Sequence, residues 1–193
     1  MEDKYYHSKE SVDEYISLSQ GINGSNLILQ LKDILPAGAK VLEIGSGPGS
    51  DYELLRETYD VVGSDLSEEF LTRLRQRFPD GEFAQLDAST LEVERTFDGI
   101  YANKVLHHLT DEELASSMQR QAELLAPGGI ICLSFWKGEG SEVFKGMFVN
   151  YHSEEGIRSF LDGLFEVIIL EEYEEFEAGD SLFLIARRAA EIR

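Results

Sequence analysis

Residues 41–51 read Val-Leu-Glu-Ile-Gly-Ser-Gly-Pro-Gly-Ser-Asp, and the fold turns on that stretch. Val41, Leu42 and Ile44 make a short apolar run of the kind that forms a strand buried on both faces. The run breaks into three alternating glycines, Gly45, Gly47 and Gly49, and helix-forming sequence resumes at about Asp51 or Tyr52. A strand that turns through glycines into a helix brings backbone N–H groups to a helix N-terminus, where a ligand can approach them closely. The dinucleotide fingerprint has its third glycine at the sixth position of the motif; here that position is Ser50, and the G-x-G-x-G spacing argues against a nicotinamide dinucleotide. Taken alone, such a loop is equally an ordinary tight turn, so its surroundings decide.

Outward from the loop, short apolar runs alternate with amphipathic stretches: Lys40 to Ile44, Val61 to Ser64, Glu82 to Leu86, Phe97 to Tyr101 and Ile130 to Phe135. That alternation is the signature of βαβ units and a parallel sheet with helices on both faces. Ser67 followed by Glu68 and Glu69 starts one helix, and Thr110 with Glu113 makes a capping box for another that Pro127, Gly128 and Gly129 stop. Ser153 opens a further helix that ends at Asp162 and Gly163. Two last runs, Val167 to Leu170 and Ser181 to Ala186, read as a terminal hairpin. The expected fold is α/β: a doubly wound, mostly parallel sheet of about seven strands with an antiparallel last strand. Two helices, near Ser11 to Ser19 and Ser25 to Leu35, precede it and make residues 1–38 a helical cover.

Asp65 ends the second run 20 positions after Gly45, where an acidic side chain can take two ribose hydroxyls; a turn Asp ahead of Ser67 is the alternative. Asp87 ends the third run at the same edge, where ligands of open α/β sheets bind and a carboxylate can accept from an exocyclic amine.

A chain of 193 residues, with 42% apolar and 28% charged residues, has the size and composition of one folded domain, residues 1–193. Its formal charge of -20 repels phosphate backbones and anionic lipid, so nucleic acid and membrane are not expected partners. Cys132, in the run Ile130 to Leu133, reads as a buried hydrophobe. The polar, acidic start at Met1 to Glu10 does not resemble a secretory signal, and a cytoplasmic location is the expectation. The four histidines are scattered, with no companion cluster of acids, so no metal is expected.

The stretches "VLEIGSGPGSD", "VVGSDLS", "QLDAST", "FDGIYANKVLHHL" and "LAPGGIICLSFW" resemble, in order, the successive motifs of the class I S-adenosylmethionine-dependent methyltransferases, over roughly residues 39 to 136. The resemblance implies their Rossmann-like seven-stranded fold, with S-adenosyl-L-methionine as cofactor. It implies that Gly45, Ser46, Gly47 and Gly49 face the methionine moiety and that Glu43 anchors its amino group, directly or through water. Asp65 and Leu66 would hold the ribose, Asp87 and Ala88 would flank the adenine, and Asn103 would meet the methionyl end.

The acceptor side is less legible. His108 and His107, just after the fourth strand, are the candidate bases, with packing or helix capping as the alternative. Tyr151 and His152, and Tyr5, Tyr6 and His7, lie in segments that cover the substrate in similar enzymes; surface aromatics are the alternative. Residues 137–152, rich in glycine with Phe144, Met147 and Phe148, suit a lid or a docked surface loop. The acidic run Glu171 to Glu177 suits a basic partner or a charged sheet edge. After Asn103 the sequence continues Lys104, Val105, Leu106 and lacks the Pro-Pro-aromatic run of enzymes that methylate amino groups of DNA and proteins. A small-molecule acceptor and a monomer or homodimer are therefore expected, with a catalytically inactive, S-adenosylmethionine-binding regulatory subunit as the alternative.

Overall fold

The apolar runs become strands of one sheet. The computed structural model describes residues 8–190. Its strands are β1 (Lys40–Ile44), β2 (Asp60–Asp65), β3 (Glu82–Gln85), β4 (Phe97–Asn103), β5 (Leu125–Trp136), β6 (Ser141–Phe144), β7 (Met147–Asn150), β8 (Phe165–Tyr173) and β9 (Ser181–Arg188). Seven of them form a sheet in the order β3-β2-β1-β4-β5-β9-β8. The pairs from β3 to β5 are parallel, and β9 runs antiparallel between β5 and β8. The strand order reverses between β1 and β4, and in such sheets a crevice opens there at the carboxyl ends of the strands. The loop after β1 lies at that switch point.

The helices are α1 (Lys9–Leu18), α2 (Ser25–Lys32), α3 (Ser50–Leu55), α4 (Glu68–Arg77), α5 (Asp111–Leu124) and α6 (Glu154–Leu161). Their starts are fixed by side chains that satisfy orphan N–H groups: Ser67 accepts from Phe70 N, Ser153 from Gly156 N, and Thr110 with Glu113 completes the capping box. Alternate residues of each central strand enter opposite cores. Leu42 and Ile131 pack with Leu114 and Met118 of α5 and with Ile157 of α6. Val41 and Cys132 pack with Leu27 and Ile28 of α2, Leu55 of α3 and Leu74 of α4. Each fully buried aliphatic side chain contributes about 1.5–3 kcal/mol, and truncating one at the sheet centre, such as Leu133→Ala, removes about 2–5 kcal/mol.

Several boundaries differ from the sequence reading; β8, for example, spans Phe165–Tyr173 rather than Val167 to Leu170 and so takes in the start of the acidic run. α2 stops at Lys32 rather than Leu35. β5 takes over from α5 at Leu125, because Leu125 pairs with Phe97 before the register jumps to Ile130 opposite Gly99; Pro127 to Gly129 bulge out of that ladder rather than preceding the strand. Residues 137–152 contain a second, two-stranded sheet, β6 with β7, not foreseen in sequence. Lys145 and Gly146 both have positive φ, 52° and 86°, between the paired Phe144 and Met147. That is the pattern of a two-residue hairpin turn, and β6, exposed along its whole length, carries no burial signal to announce it.

Candidate active site

The turn after β1 is built for close approach. Gly45 has φ 70° and a side chain there would meet Val105 at 2.5 Å, so both conformation and space require glycine. Gly47, at φ 48°, has open space, with Tyr15 of α1 the nearest side chain at 4.0 Å. Its N–H donates to Asp65 Oδ2 (2.9 Å), while Asp65 Oδ1 accepts from Ser67 N (2.8 Å). Asp65 thus fastens the glycine turn to the start of α4. Leu66 beside it is exposed.

Beneath the turn Glu43 is 2% exposed. Ser46 Oγ donates to Glu43 Oε2 (2.5 Å) and accepts from Ser64 N (3.1 Å). Burial pushes the Glu43 carboxyl up to about 8, against the lowering hydrogen bond from Ser46, and the nearby Asp51 and Asp65 push it the same way.

Asp51, legible in sequence only as a helix start, fastens this side of the crevice. Its Oδ1 accepts from Gly24 N (2.6 Å), and its Oδ2 accepts from Tyr101 Oη (2.8 Å) and Asn103 Nδ2 (2.9 Å). α2, α3 and β4 are joined at one carboxylate. Asn103 Oδ1 in turn accepts from Ser134 Oγ (2.6 Å), which fixes its amide orientation. No motif spacing pairs residues 24, 51 and 101; the only trace in sequence is an Asp in the first turn of a helix, which dipole complementarity explains as well. Asp87 and Ala88 lie beyond the end of β3, with exposed Asp87 Oδ1 accepting from Ser89 N (2.8 Å) and Ser89 Oγ (2.6 Å). The structure therefore brings Glu43, Asp65, Asp87 and Asn103 to the ends of four adjacent strands.

On the other side of Asn103 the chemistry changes sign. Lys104 sits in the left-handed region (φ 55°), and its Nζ donates to Phe135 O (3.0 Å) and Ser181 Oγ (2.6 Å) and lies 3.4 Å from the centroid of the Trp136 ring. Burial lowers the Lys104 ammonium to about 7, although Glu175 and Asp180 oppose that. Asp180 reaches about 2: hydrogen bonds from the N–H groups of Glu175, Phe176 and Glu177 and from Ser181 Oγ outweigh its desolvation. Phe176 stacks on Trp136 (centroids 5.8 Å apart). Nothing in the sequence joins residue 104 to residues 136 and 173–181; the antiparallel placement of β9 does.

His107 is buried, with Nδ1 lacking a hydrogen-bond partner, and burial holds its pKa well below the usual imidazole range. His108 Nδ1 meets Phe148 O at 2.7 Å, which ties the 3-10 turn at Leu106–His108 to β7. Asn150 Nδ2 adds bonds to Leu109 O (3.3 Å) and Asp111 Oδ1 (2.8 Å), so the hairpin is docked beside the histidines. His152 packs edge-on against Phe135 and Phe160, inside the fold rather than over the site, and Tyr151 Oη donates to Glu142 (2.5 Å). Tyr5, Tyr6 and His7 lie outside the described residues. Among the described residues, no helix is long and apolar enough to cross a membrane.

The strand order, the glycine turn at its switch point and the acidic residues closing β1 and β2 define the class I S-adenosylmethionine-dependent methyltransferase fold. Residues 41–129 match the family model described as a methyltransferase domain. Among curated proteins, trans-aconitate 2-methyltransferase of Variovorax paradoxus is 38% identical over 103 residues, covering 51% of this chain and 39% of that protein. The dTDP-3-amino-3,4,6-trideoxy-alpha-D-glucopyranose N,N-dimethyltransferase of Streptomyces venezuelae is 32% identical over 104 residues, covering 52% and 44%. The matches thus span about two fifths of the length of these relatives. Among solved structures, 1,6-didemethyltoxoflavin-N1-methyltransferase of Burkholderia thailandensis superposes with TM-score 0.78 at 23% identity, covering 96% of this chain and 84% of that one. An S-adenosylmethionine-dependent methyltransferase of Clostridium acetobutylicum superposes with TM-score 0.77 at 14% identity, covering 93% and 98%.

Proposed function

We propose that the chain is an S-adenosyl-L-methionine-dependent methyltransferase acting on a small-molecule acceptor. The observation that carries this is the glycine turn at the sheet's switch point, framed by Glu43 below and Asp65 beside it. The residues fit the cofactor: the open space at Gly47 would take its methionine part, with Gly45, Ser46 and Gly49 shaping the turn beneath it, Glu43 answers its amino group, and Asp65 with Leu66 takes the ribose. Asp87 and Ala88 flank the adenine, and Asn103, held by Asp51 and Ser134, closes the methionyl end. The named acceptors of the relatives, an organic acid and an amino sugar nucleotide, support a small-molecule acceptor.

When bound, the cofactor supplies a sulfonium methyl group already activated towards nucleophiles. The chain's task is to align the acceptor about 3–3.5 Å from that carbon and to exclude water. The docked hairpin β6–β7 and α1 frame the site for that. Of the two candidate bases His108 is the better suited by place: it is the less buried of the pair, and its Nδ1 bond to Phe148 O ties it to the docked hairpin. His107, held neutral and buried, orients its neighbours.

Calorimetric titration of S-adenosylmethionine into the wild-type chain and Asp65→Ala tests the cofactor. Saturable binding weakened about 100-fold or more in Asp65→Ala is expected; folded wild-type protein that does not bind overturns the proposal. Release of S-adenosylhomocysteine with pooled metabolites then tests transfer, and binding without any turnover would favour a regulatory subunit.

A further inference from the structure

We propose that Glu43 recognises the α-ammonium group of the cofactor by proton exchange, its carboxyl group being neutral in the empty protein and releasing one proton to solvent when the ammonium is bound. This rests on the cofactor reading above and goes beyond it in naming the protonation state that recognition requires.

The inference stands on what surrounds the carboxyl. Glu43 is the penultimate residue of β1, just before the glycine turn, and is 2% exposed. One oxygen accepts from Ser46 Oγ. Among the described residues nothing donates a hydrogen bond to the other. The charged and titratable groups that act on this carboxyl are Asp51 on α3 and Asp65 at the end of β2, both acidic, with the phenols Tyr52 on α3 and Tyr101 on β4. Among the described residues no cation acts on it. Arg77 bonds the loop at Pro48 O and pairs with Glu53, not with Glu43.

An anion buried beside two further carboxylates, with one hydrogen bond to stabilise it, is held less favourably than the neutral acid. That is why the carboxyl titrates near 8 rather than near 4.5. An ammonium brought to its open oxygen reverses the balance, because an opposite charge at close range favours the carboxylate. The step is balanced: the O–H bond of Glu43 breaks, its proton leaves to water, and the ammonium keeps its three protons. Below the titration of the empty site, binding then gains about tenfold in affinity per pH unit.

The test is calorimetric titration at about pH 6.5, where an α-ammonium group stays protonated, in phosphate and in imidazole buffer, whose ionisation enthalpies differ. The probes are S-adenosylhomocysteine, which carries the α-ammonium, and 5′-methylthioadenosine, which lacks it. Expected is the release of about one proton per site with the first and none with the second, and no release from Glu43→Gln, which binds S-adenosylhomocysteine about tenfold or more weakly. Buffer-independent heats for the wild type with S-adenosylhomocysteine, or equal release with both ligands or from Glu43→Gln, overturn the inference. Should Glu43→Gln fail to fold, the two wild-type titrations decide. Failure of S-adenosylhomocysteine to bind folded wild-type protein overturns the cofactor reading instead.

Discussion

The two sides of Asn103 meet at one sheet edge with opposite chemistry. Towards β1 and β2 the side chains are acids, Glu43, Asp51 and Asp65, and their partners are backbone N–H groups and hydroxyls. Towards β5 and β9 they are bases, Lys104, His107 and His152, set against carbonyls and aromatic faces. Burial acts on both sides in the direction that removes charge: it raises Glu43 to about 8 and lowers Lys104 to about 7. Burial thus weighs against charge at one group on each side, Glu43 and Lys104. The acidic side is tied by short bonds to the backbone of the glycine turn, whereas the basic side is assembled from distant segments, and the two should fail differently when broken.

The sharpest break is Asp51→Ala. It removes the acceptor of three donors, one of them the hydroxyl of Tyr101, which is fully buried. Leaving buried donors unsatisfied costs about 1–3 kcal/mol each, and some of these will find water, so a loss of about 3 kcal/mol is expected in urea unfolding, with weakened S-adenosylmethionine binding. Asp51→Asn keeps one acceptor oxygen and should lose about half as much. If both variants unfold like the wild type, the acidic side is not the fastening described here.

This difference also explains what could be read in advance. The cofactor side is legible because its chemistry is local: a buried strand, alternating glycines, and an acid at each following strand end stand in a fixed order along residues 41 to 103. β1 was placed from Lys40 to Ile44, as observed, because a strand flanked by turn residues leaves no freedom in its bounds. Asp51 was legible only as a helix start, since its partners lie 27, 50 and 52 residues away. The lysine pocket was not legible at all: Lys104 meets Ser181 across 77 residues, and a positive φ at a non-glycine position leaves no mark in sequence. The hairpin β6–β7 left a trace, Lys145-Gly146 between short runs, that glycine content alone did not decode.

On the basic side, Lys104→Met is expected to have a smaller effect that changes with pH. The folded Lys104 titrates at about 7, below its ordinary 10.5, so between those values the folded chain holds fewer protons than the unfolded one. Stability therefore rises with pH across that window, and the penalty for the buried ammonium is fully present below about 7. Unfolding free energies at about pH 8 and about pH 9.5 should differ by roughly 2 kcal/mol more in the wild type than in Lys104→Met. Equal slopes would mean that the ammonium is as well solvated as a surface lysine, and the symmetry between the two sides would be lost. Cofactor affinity should stay within about threefold, because Lys104 lies across Asn103 from the turn.

The smallest effect separates packing from anchoring. Phe176 is 63% exposed and stacks on one face of Trp136 while Lys104 Nζ lies against the ring at 3.4 Å. An exposed stack of this kind contributes about 0.5–1 kcal/mol, whereas Asp180 bonds the backbone of Glu175, Phe176 and Glu177 in the connection between β8 and β9. Phe176→Ala should thus lower stability by about 0.5 kcal/mol and leave the connection in place. Trp136 is the chain's single tryptophan, so its emission reports this pocket alone. The emission should shift to the red on losing Phe176 and should still change as Lys104 titrates near pH 7. A Phe176→Ala variant that destabilises as much as Lys104→Met alters stability would place the anchor in the aromatic stack, and the basic side would then be held by packing rather than by hydrogen bonds as the acidic side is.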